Sequence, residues 1–230
     1  MTSPRVPNYG HYTSMQVRAG RVHGLDRHLV RLDAANRELF GKPLDGDAVR
    51  ARVREALGGT ADAAVRVVVV EDGLLVEVSE PVDPPGTPQR LLSVPYVRPF
   101  AHLKHLGTFA QVRHARVARE RGYDDALLTG PDGLVTETSI ANVGFFAGDH
   151  VVWPDAPVLV GTTMQIIEAG TSTRRFPVRL TDLRAYDGAF VANSRGVAAV
   201  VAIDDVVFPV DAVRLAAVAA VYAAAPAGEV

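Results

Sequence analysis

The chain has 230 residues, 48% hydrophobic and 22% charged, a composition that suits a globular protein with one large domain or two small ones. Its 24 basic and 26 acidic residues leave a net charge of −2, so no overall field would attract nucleic acid or an anionic membrane. It has no cysteine, which excludes disulfides and thiolate metal sites and is typical of a cytoplasmic protein.

The first half of the sequence predicts a mixture of strands and helices. YTSMQVRAGRV predicts two strands that meet at Gly20, and LDRHLVRLDAANRELFG predicts a helix that ends at Gly41. A second helix is predicted over residues 47–57, before a Gly-Gly stop. AVRVVVVEDGLLVEVSE then predicts a hairpin around its Asp-Gly dipeptide, and RLLSVPYV predicts a further strand.

The second half predicts short strands joined by tight turns. A helix over residues 108–121 ends at Gly122, and the strands DALLT, LVTE, NVGFFA and VVWP follow it. Another helix is predicted from Thr163, after which VRLTDLRAYDGAFVANS and GVAAVVAIDDVVF return to strands, and a last helix covers residues 211–225. Long strand runs with few crossover helices predict an α+β fold with largely antiparallel pairing.

Lys104, in HLKHLGTF, is a candidate nucleophile. Only Lys42 and Lys104 are lysines among the 24 basic residues, and the others are arginines. Lys42 lies in the turn FGKPLDGD, whereas Lys104 follows an aromatic and apolar run. An arginine does not give up its proton, but a desolvated lysine can become a neutral amine and form a Schiff base. The alternative is a surface lysine whose ammonium extends into water.

Three segments are candidate anion sites. Gly161, Thr162 and Thr163 lie at a strand-to-helix junction, where unpaired N–H groups and two hydroxyls suit a phosphate. Thr163 would serve equally well as a simple N-cap. The stretch NSRG, residues 193–196, is either a second anion-binding loop or a plain turn after a strand. Arg31, on the first helix, is either an anion clamp or a surface arginine.

Glu137 and Asn142 bracket small polar residues in VTETSIANVGFF, between two predicted strands. Such a carboxylate is either a solvated turn residue or a partner for a protonated ring nitrogen. Pyridoxal 5′-phosphate needs an amine, a phosphate cradle and an acidic group at its pyridine nitrogen. The lysine, the anion sites and Glu137 together therefore predict a site for this cofactor.

Other kinds of site have weaker support. His102, His105 and His114 have no companion carboxylates at ligand spacing, so we expect no metal site. GxGxxG and P-loop patterns are absent, and the arginines of RHARVARERG lie on one helix amid acidic neighbours, as on a solvated face, so we expect no nucleic-acid partner. The N-terminal stretch lacks an apolar signal core, and the apolar runs are shorter than the roughly 20 residues of a membrane span.

The sequence resembles the class IV aminotransferases, the fold type IV pyridoxal-phosphate enzymes that include branched-chain and D-amino-acid aminotransferases and aminodeoxychorismate lyase. The matching blocks are NYGHYTSMQVRAGRVHGLDRHLVRL, LKHLGTFAQVRHARVARERGYDDALLTGPDGLVTETSIANVGFF, VLVGTTMQII and FVANSRGVAAVVAID. The resemblance implies a small N-terminal α/β domain, a C-terminal pseudo-barrel domain, a cofactor in the cleft between them, and a homodimer. The pattern along the chain places the boundary after RLLSVPYV, which gives domains at 1–97 and 104–230 and a linker at 98–103.

The resemblance also implies residue roles. Lys104 matches the lysine that binds the cofactor covalently. Glu137 matches the glutamate at the pyridine nitrogen, and Asn142 matches the asparagine that closes the same motif. Tyr12 and Thr13 fall at positions next to the substrate. The residues matching those that hold the phosphate are Arg31, Thr162, Thr163, Asn193 and Ser194.

Three departures from the family pattern bear on the reaction. Many aminotransferases of the family have a glutamate after the aromatic residue of the first motif, whereas here Thr13 follows Tyr12. Phe109 stands five residues after Lys104, where branched-chain aminotransferases have a tyrosine. LKHL and Thr13 are closer to aminodeoxychorismate lyase. The chain before Tyr9 is short, so we expect the family's first strand to be either missing or not included in this sequence.

Three functions follow as hypotheses. The family pattern predicts transfer of an amino group between an amino acid or amine and a 2-oxo acid, with Lys104 moving the Cα proton and Glu137 keeping the ring electron-poor. The departures favour an elimination that releases pyruvate and an aromatic amine such as 4-aminobenzoate. A cofactor-free binding protein is the third hypothesis, and loss of Lys104 or Glu137 would be its sign, but both are present.

Overall fold

The computed structural model describes residues 8–230, so the expectation of a missing first strand before Tyr9 concerns residues outside that range. The helices within it are α1 (Leu25–Phe40), α2 (Gly46–Leu57), α3 (Phe109–Glu120), α4 (Thr162–Gly170) and α5 (Ala212–Ala223). The strands are β1 (His11–Val17), β2 (Arg21–His23), β3 (Ala63–Val70), β4 (Gly73–Ser79), β5 (Gln89–Pro95), β6 (Asp125–Thr129), β7 (Val135–Thr138), β8 (Asn142–Ala147), β9 (His150–Pro154), β10 (Thr173–Phe176), β11 (Gly188–Asn193), β12 (Gly196–Ile203), β13 (Val206–Val207) and β14 (Ala227–Glu229).

One compact unit contains the described residues up to Val82 together with 103–108 and 226–230. Its main sheet is antiparallel in the order β1-β3-β4, and β2 pairs separately with β14. Every second residue of β1 is buried, as expected of a strand with one face on a core. Helices α1 and α2 contribute Leu32 and Val53 to that core, where each such side chain stabilises the fold by about 1.5–3 kcal/mol.

This unit contains the predicted helix end at Gly41 and the predicted hairpin, although the hairpin loop is shifted by one residue. Helix α1 ends at Gly41, whose φ of 68° is the left-handed conformation that glycine adopts most readily. The hairpin joins β3 to β4, but Val70 pairs with Gly73. The two-residue loop is therefore Glu71–Asp72, and the glycine of the predicted Asp-Gly turn already belongs to β4.

The second unit contains residues 83–102 and 109–225 and is built on one large sheet. Six strands close into a ring in the order β8-β11-β12-β5-β6-β7, because β7 pairs back onto β8 through Glu137 and Asn142. Most pairs are antiparallel, but β5 is parallel to β6 and β12, and β10 is parallel to β9. The buried side chains of Leu127, Val143 and Phe145 belong to the largest core of this unit. The predicted α+β fold with a pseudo-barrel is confirmed.

Three segments differ from the predicted secondary structure. Leu180–Ala185 is a short 3-10 helix and not a strand, because local bonds such as Asp182 N to Arg179 O (2.9 Å) replace cross-strand pairing. The sequence does not predict β10 or β14, which form by pairing with β9 and β2.

None of the helices within residues 8–230 combines the length and the apolar character needed to cross a bilayer.

The two compact units differ from the predicted domain division in three places, one of which is the terminal segment 226–230, predicted in the second domain but part of the first unit. Strand β5 precedes the predicted linker 98–103, yet it belongs to the second unit because it pairs with β6 and β12. Residues 104–108 follow the predicted linker, yet together with Leu103 they belong to the first unit, because the backbone of this segment bonds to the start of β1. Lys104 is therefore part of the first unit.

Candidate active site

Lys104 lies on a short extended segment that is hydrogen-bonded to the start of β1. Tyr12 N donates to Lys104 O at 2.9 Å, and Leu106 N donates to Gly10 O at 3.0 Å. Glycine is required at position 10, because a β-carbon there would lie 2.5 Å from the carbonyl oxygen of Val69. These contacts fix the backbone that carries the lysine.

The side chain of Lys104 packs against an aromatic ring. Its Nζ lies 4.8 Å from the centroid of the Tyr12 ring, within the range of a cation–π contact. The residue is only partly exposed. Lys42, by contrast, is exposed and donates to the carbonyl oxygen of Glu71. The surroundings of Lys104 therefore differ from those of a fully solvated surface lysine.

Arg31, Thr13 and His28 form a hydrogen-bonded chain in the same unit. Arg31 Nη2 donates to Thr13 Oγ1 at 2.7 Å, and that oxygen lies 2.7 Å from His28 Nδ1. Thr13 is 0% and His28 2% exposed. Helix α1 places the side chains of His28 and Arg31 on one face, because residues three positions apart lie about one turn apart on a helix. Arg31 is thus partly buried and hydrogen-bonded to a buried side chain.

His28 is uncharged in this environment. Burial lowers the pKa of His28 well below its ordinary value, and the positive charges of Arg31 and Lys104 lower that pKa further. Both predicted cofactor-binding cations of the first unit therefore lie close to one neutral imidazole. Tyr12 and Thr13, the two residues predicted beside the substrate, are consecutive on the strand that these side chains contact.

In the second unit, Glu137 is a buried carboxylate paired with an arginine that the sequence did not single out. Arg98 Nε lies 3.0 Å from Glu137 Oε1, and the two side chains are 4% and 7% exposed. Leu159 N donates to Glu137 Oε2 at 3.3 Å. The interpretation of Glu137 as a solvated turn residue is therefore wrong. No local signal distinguishes Arg98 from the other arginines, because its pairing depends on β7.

Asn142 and Gly161 connect this carboxylate to the start of α4. Asn142 pairs with Glu137 across β7 and β8, and its Nδ2 donates to Leu159 O at 2.7 Å. Gly161 is the N-cap of α4, and no side chain caps the helix there. The alternative in which Thr163 is a simple N-cap is therefore wrong. The first backbone N–H groups of a helix carry partial positive charge, so this end of α4 suits an anion.

Thr163 joins α4 to the second predicted anion-binding loop. Its hydroxyl donates to the carbonyl oxygen of Asn193 at 2.7 Å, and both Thr162 and Thr163 are buried. Asn193 Oδ1 accepts from Arg195 N at 2.9 Å, which is the side-chain turn expected of asparagine. Tyr222 donates its hydroxyl to Ser194 O at 3.1 Å. Residues 193–196 therefore form a turn that hydrogen bonds hold next to the start of α4.

A cavity of about 120 Å³ lies within the second unit and is lined from both motifs. Thr138 and Ala141 come from the stretch between Glu137 and Asn142, and Asn193 and Arg195 come from the turn after β11. Asn193 is the predicted site residue that lines this cavity, and Thr163 is linked to it through the hydrogen bond to Asn193 O.

Two further predictions concern single residues and metals. Phe109 begins α3 and is 84% exposed, at the position where branched-chain aminotransferases have a tyrosine. Over the described part of the chain, no group of three or more His, Asp or Glu side chains is arranged to hold a metal ion.

The family model described as amino-transferase class IV matches residues 10–203. Three solved structures are similar over nearly their whole length. A candidate 4-amino-4-deoxychorismate lyase from Legionella pneumophila is 18% identical, with 95% of this chain and 94% of that chain covered and a TM-score of 0.81. The fold IV-transaminase CpuTA1 from Curtobacterium pusillum is 24% identical, with 97% and 92% covered and a TM-score of 0.81. A hypothetical aminotransferase from Mycobacterium tuberculosis, in its PLP-bound form, is 23% identical, with 95% and 89% covered and a TM-score of 0.82.

No curated protein matches the chain. At 18–24% identity the solved structures show the fold alone. The family model, in contrast, covers most of the sequence, including the segments that carry Arg31, Lys104 and Glu137. The chain therefore belongs to the class IV amino-transferases, the fold type IV enzymes that depend on pyridoxal 5′-phosphate.

Proposed function

We propose that this enzyme moves an amino group from an amino acid or amine to a 2-oxo acid. In this proposal Lys104 binds the cofactor covalently, and Glu137 pairs with its pyridine nitrogen. Arg31 and the start of α4, with Thr162 and Thr163, hold its phosphate. The turn Asn193–Ser194 completes the phosphate grip, and Tyr12 and Thr13 contact the substrate.

The observation that carries the proposal is the grouping of Lys104 and Arg31 beside consecutive residues of β1. Lys104 Nζ packs on the ring of Tyr12, and Arg31 Nη2 bonds to the hydroxyl of Thr13. The two cations are far apart in sequence, and the family resemblance implies a cofactor role for each. A surface role would not require both to contact adjacent residues of one strand.

The residues present have the chemistry that pyridoxal 5′-phosphate requires. When bound, the cofactor supplies an aldehyde that condenses with amines and a ring that withdraws electrons from the substrate Cα. Lys104 offers the amine, and Arg31 offers paired donors for phosphate oxygens. Glu137 faces Arg98 Nε at 3.0 Å, and a carboxylate has lone pairs left for a ring N–H because it accepts at about four positions.

The chain's own groups account for the proton movements of the transfer. With the cofactor joined to the substrate amine and no longer to the lysine, Lys104 would act as a neutral base that takes up the Cα proton of the substrate. Glu137 keeps the ring nitrogen protonated, which favours loss of the Cα proton. The bound cofactor would carry the amino group between the two substrates: water would release the first as a keto product, and a second 2-oxo acid would take up the amino group with loss of water.

A lyase reaction is the second candidate, and Thr13 is the observation that favours it. Many transaminases of the family carry a glutamate at this position, but here it is a buried hydroxyl between Arg31 and His28. Phe109 likewise lacks the hydroxyl of branched-chain aminotransferases. In this reaction Lys104 would remove the same Cα proton, and the bond from Cβ to the leaving group would then break. The leaving group would be released as pyruvate, and the rest of the substrate would become an aromatic amine such as 4-aminobenzoate.

One pair of experiments tests the proposal. Purified protein titrated with pyridoxal 5′-phosphate should develop visible absorbance that Lys104→Ala abolishes, while Lys42→Ala retains it because that lysine lies exposed in a turn. Product formation that requires a 2-oxo acid supports amino transfer, whereas pyruvate release without any acceptor would favour the lyase. A wild-type protein that gains no new absorbance with added cofactor would contradict both the transfer and the lyase reaction, and would support a cofactor-free binding protein.

We extend the proposal to a cytoplasmic homodimer with small amino and keto substrates and no nucleic-acid or membrane partner. The family pattern supports the dimer, and the composition without cysteine supports the compartment. Light scattering coupled to size exclusion would check the dimer, and a monomeric holoenzyme with full activity would contradict it.

A further inference from the structure

The buried hydroxyl of Thr13 joins two side chains of α1. The structure gives its Oγ1 two hydrogen-bond partners among residues 8–230, Arg31 Nη2 and His28 Nδ1, each at 2.7 Å. Thr13 and His28 are almost completely buried, so water does not compete for these bonds. The hydroxyl of Thr13 thus connects the predicted phosphate arginine to a buried imidazole.

The chemistry of the three groups fixes the direction of the hydrogen bonds. A guanidinium has only donors, so Thr13 Oγ1 accepts from Arg31. The hydroxyl proton then needs an acceptor, since a buried donor without one is unfavourable. His28 Nδ1 provides that acceptor only if the ring is neutral and carries its proton on Nε2. Burial and the nearby cations lower the pKa of His28, which keeps the ring in the required charge state.

We infer that His28 is a positioning residue, which orients Arg31 for the cofactor phosphate through the hydroxyl of Thr13. His28 Nδ1 fixes the hydroxyl, and the hydroxyl oxygen fixes one arm of the guanidinium plane. The inference rests on the phosphate role proposed for Arg31. It adds that the neutral imidazole sets how well the arginine distinguishes phosphorylated from unphosphorylated cofactor.

Pyridoxal is the probe that isolates this effect, because it has the aldehyde and the ring but no phosphate. The ratio of its Kd to that of pyridoxal 5′-phosphate measures the contribution of the phosphate grip alone. Damage to the fold would weaken both ligands together and leave the ratio unchanged. Loss of the positioning chain should lower the ratio.

The variants distinguish the role of His28 as a hydrogen-bond acceptor from the effect of burying a ring at that position. His28→Leu should lower the ratio about tenfold, the effect of weakening one charge-assisted contact. His28→Asn should keep the ratio within about twofold, since its Oδ1 lies where Nδ1 was. Thr13→Val should reproduce His28→Leu, and Thr13→Ser should not. The double variant Thr13→Val/His28→Leu should be no worse than Thr13→Val, because both break the same chain.

His11→Leu is the matched control, since His11 is another buried imidazole of this unit, bonded to Asn36 at 3.4 Å and not to Arg31. It should change stability but not the ratio. Nitrogen-15 NMR of the apoprotein gives a second readout, with His28 Nδ1 expected unprotonated; a protonated Nδ1 would overturn the inference. A high wild-type ratio that neither His28→Leu nor Thr13→Val lowers would overturn it while leaving the proposed function intact. A wild-type ratio near one would overturn the proposed function itself.

Discussion

The side-chain oxygen of Asn142 occupies the space that a β-carbon on Gly161 would need. The two atoms would be 2.3 Å apart, far inside van der Waals contact. Asn142 cannot easily move, because its Nδ2 is bonded to Leu159 O at 2.7 Å. Gly161 has a φ of −67°, so the fit to Asn142, and not the backbone conformation, requires glycine at the start of α4.

Gly161→Ala should therefore displace either Asn142 or the first turn of α4. We expect it to lower the free energy of unfolding by about 1–3 kcal/mol, as overpacking does elsewhere, and to weaken binding of pyridoxal 5′-phosphate. Urea denaturation and a cofactor titration measure the two effects. Gly86→Ala is the control, because a β-carbon there would meet nothing within 4 Å. Equal behaviour of the two variants would refute the steric argument.

Arg98→Met removes the cation that faces the buried carboxylate of Glu137. Breaking a buried ion pair from one side typically lowers the free energy of unfolding by about 3–5 kcal/mol. The double variant Arg98→Met/Glu137→Gln should recover much of that loss, because no carboxylate charge is then buried and an acceptor for Leu159 N remains. Denaturant unfolding of the three proteins measures both steps.

Arg113→Met is the matched control for the buried pair. Arg113 lies 3.9 Å from Glu120, with both side chains more than half exposed, and such surface pairs contribute about 0–1 kcal/mol. If Arg98→Met and Arg113→Met lowered stability equally, the buried pair would not have the importance given to it here.

The parts of the fold that depend on local chemistry could be predicted from the sequence. Gly41 and Gly122 end helices as expected, because each takes a positive φ that other residues adopt with strain. The parts that depend on distant partners could not. Strand β14 exists only through its pairing with β2 near the other end of the chain, and β5 joins the second unit through β6 and β12.

The same distinction applies to the candidate site. Lys104 stands out because it is a lysine among arginines, and the motifs around Glu137 and Thr163 have recognisable spacing. Arg98 and His28 could not be found in this way, because nothing in their neighbours along the chain reveals the carboxylate and the hydroxyl that they contact.

Thr163→Val should weaken the link between α4 and the turn after β11. The hydroxyl of Thr163 donates to Asn193 O at 2.7 Å, and valine has the same shape without the donor. We expect a loss of about 1 kcal/mol in stability and a several-fold weaker affinity for pyridoxal 5′-phosphate, whereas Thr163→Ser should behave like the wild type.

A threonine just after the end of α4 gives the comparison. Thr171, which follows the last residue of the helix, donates its hydroxyl to Ile167 O at 2.7 Å, the same kind of bond at the opposite end. Thr171→Val should lower stability by a similar amount and leave cofactor affinity unchanged. A parallel loss of affinity in both variants would show that the effect is on the helix and not on the phosphate grip.

Asp125→Asn should change how stability depends on pH. Burial raises the pKa of Asp125 above its ordinary value of 3.8, although hydrogen bonds from Ser139 and Ala126 oppose the shift. The folded state therefore binds this proton more tightly than the unfolded state does. Stability from this group is complete below pH 3.8 and is lost as the pH rises through the folded value. Asparagine has no such loss, so the variant should gain on the wild type as the pH rises from 3.8 and then stay level.

Asp33→Asn should show the opposite sign, because the hydrogen bond from Arg37 lowers the pKa of Asp33 below 3.8. The stability that Asp33 contributes is present above 3.8 and is lost as the pH falls through the folded value, so the wild type should lose its advantage over this variant at low pH. Unfolding free energies measured over the same pH series for the three proteins would show the two curves diverging in opposite directions. A flat difference for Asp125→Asn would mean that its carboxyl group is solvated in the folded protein.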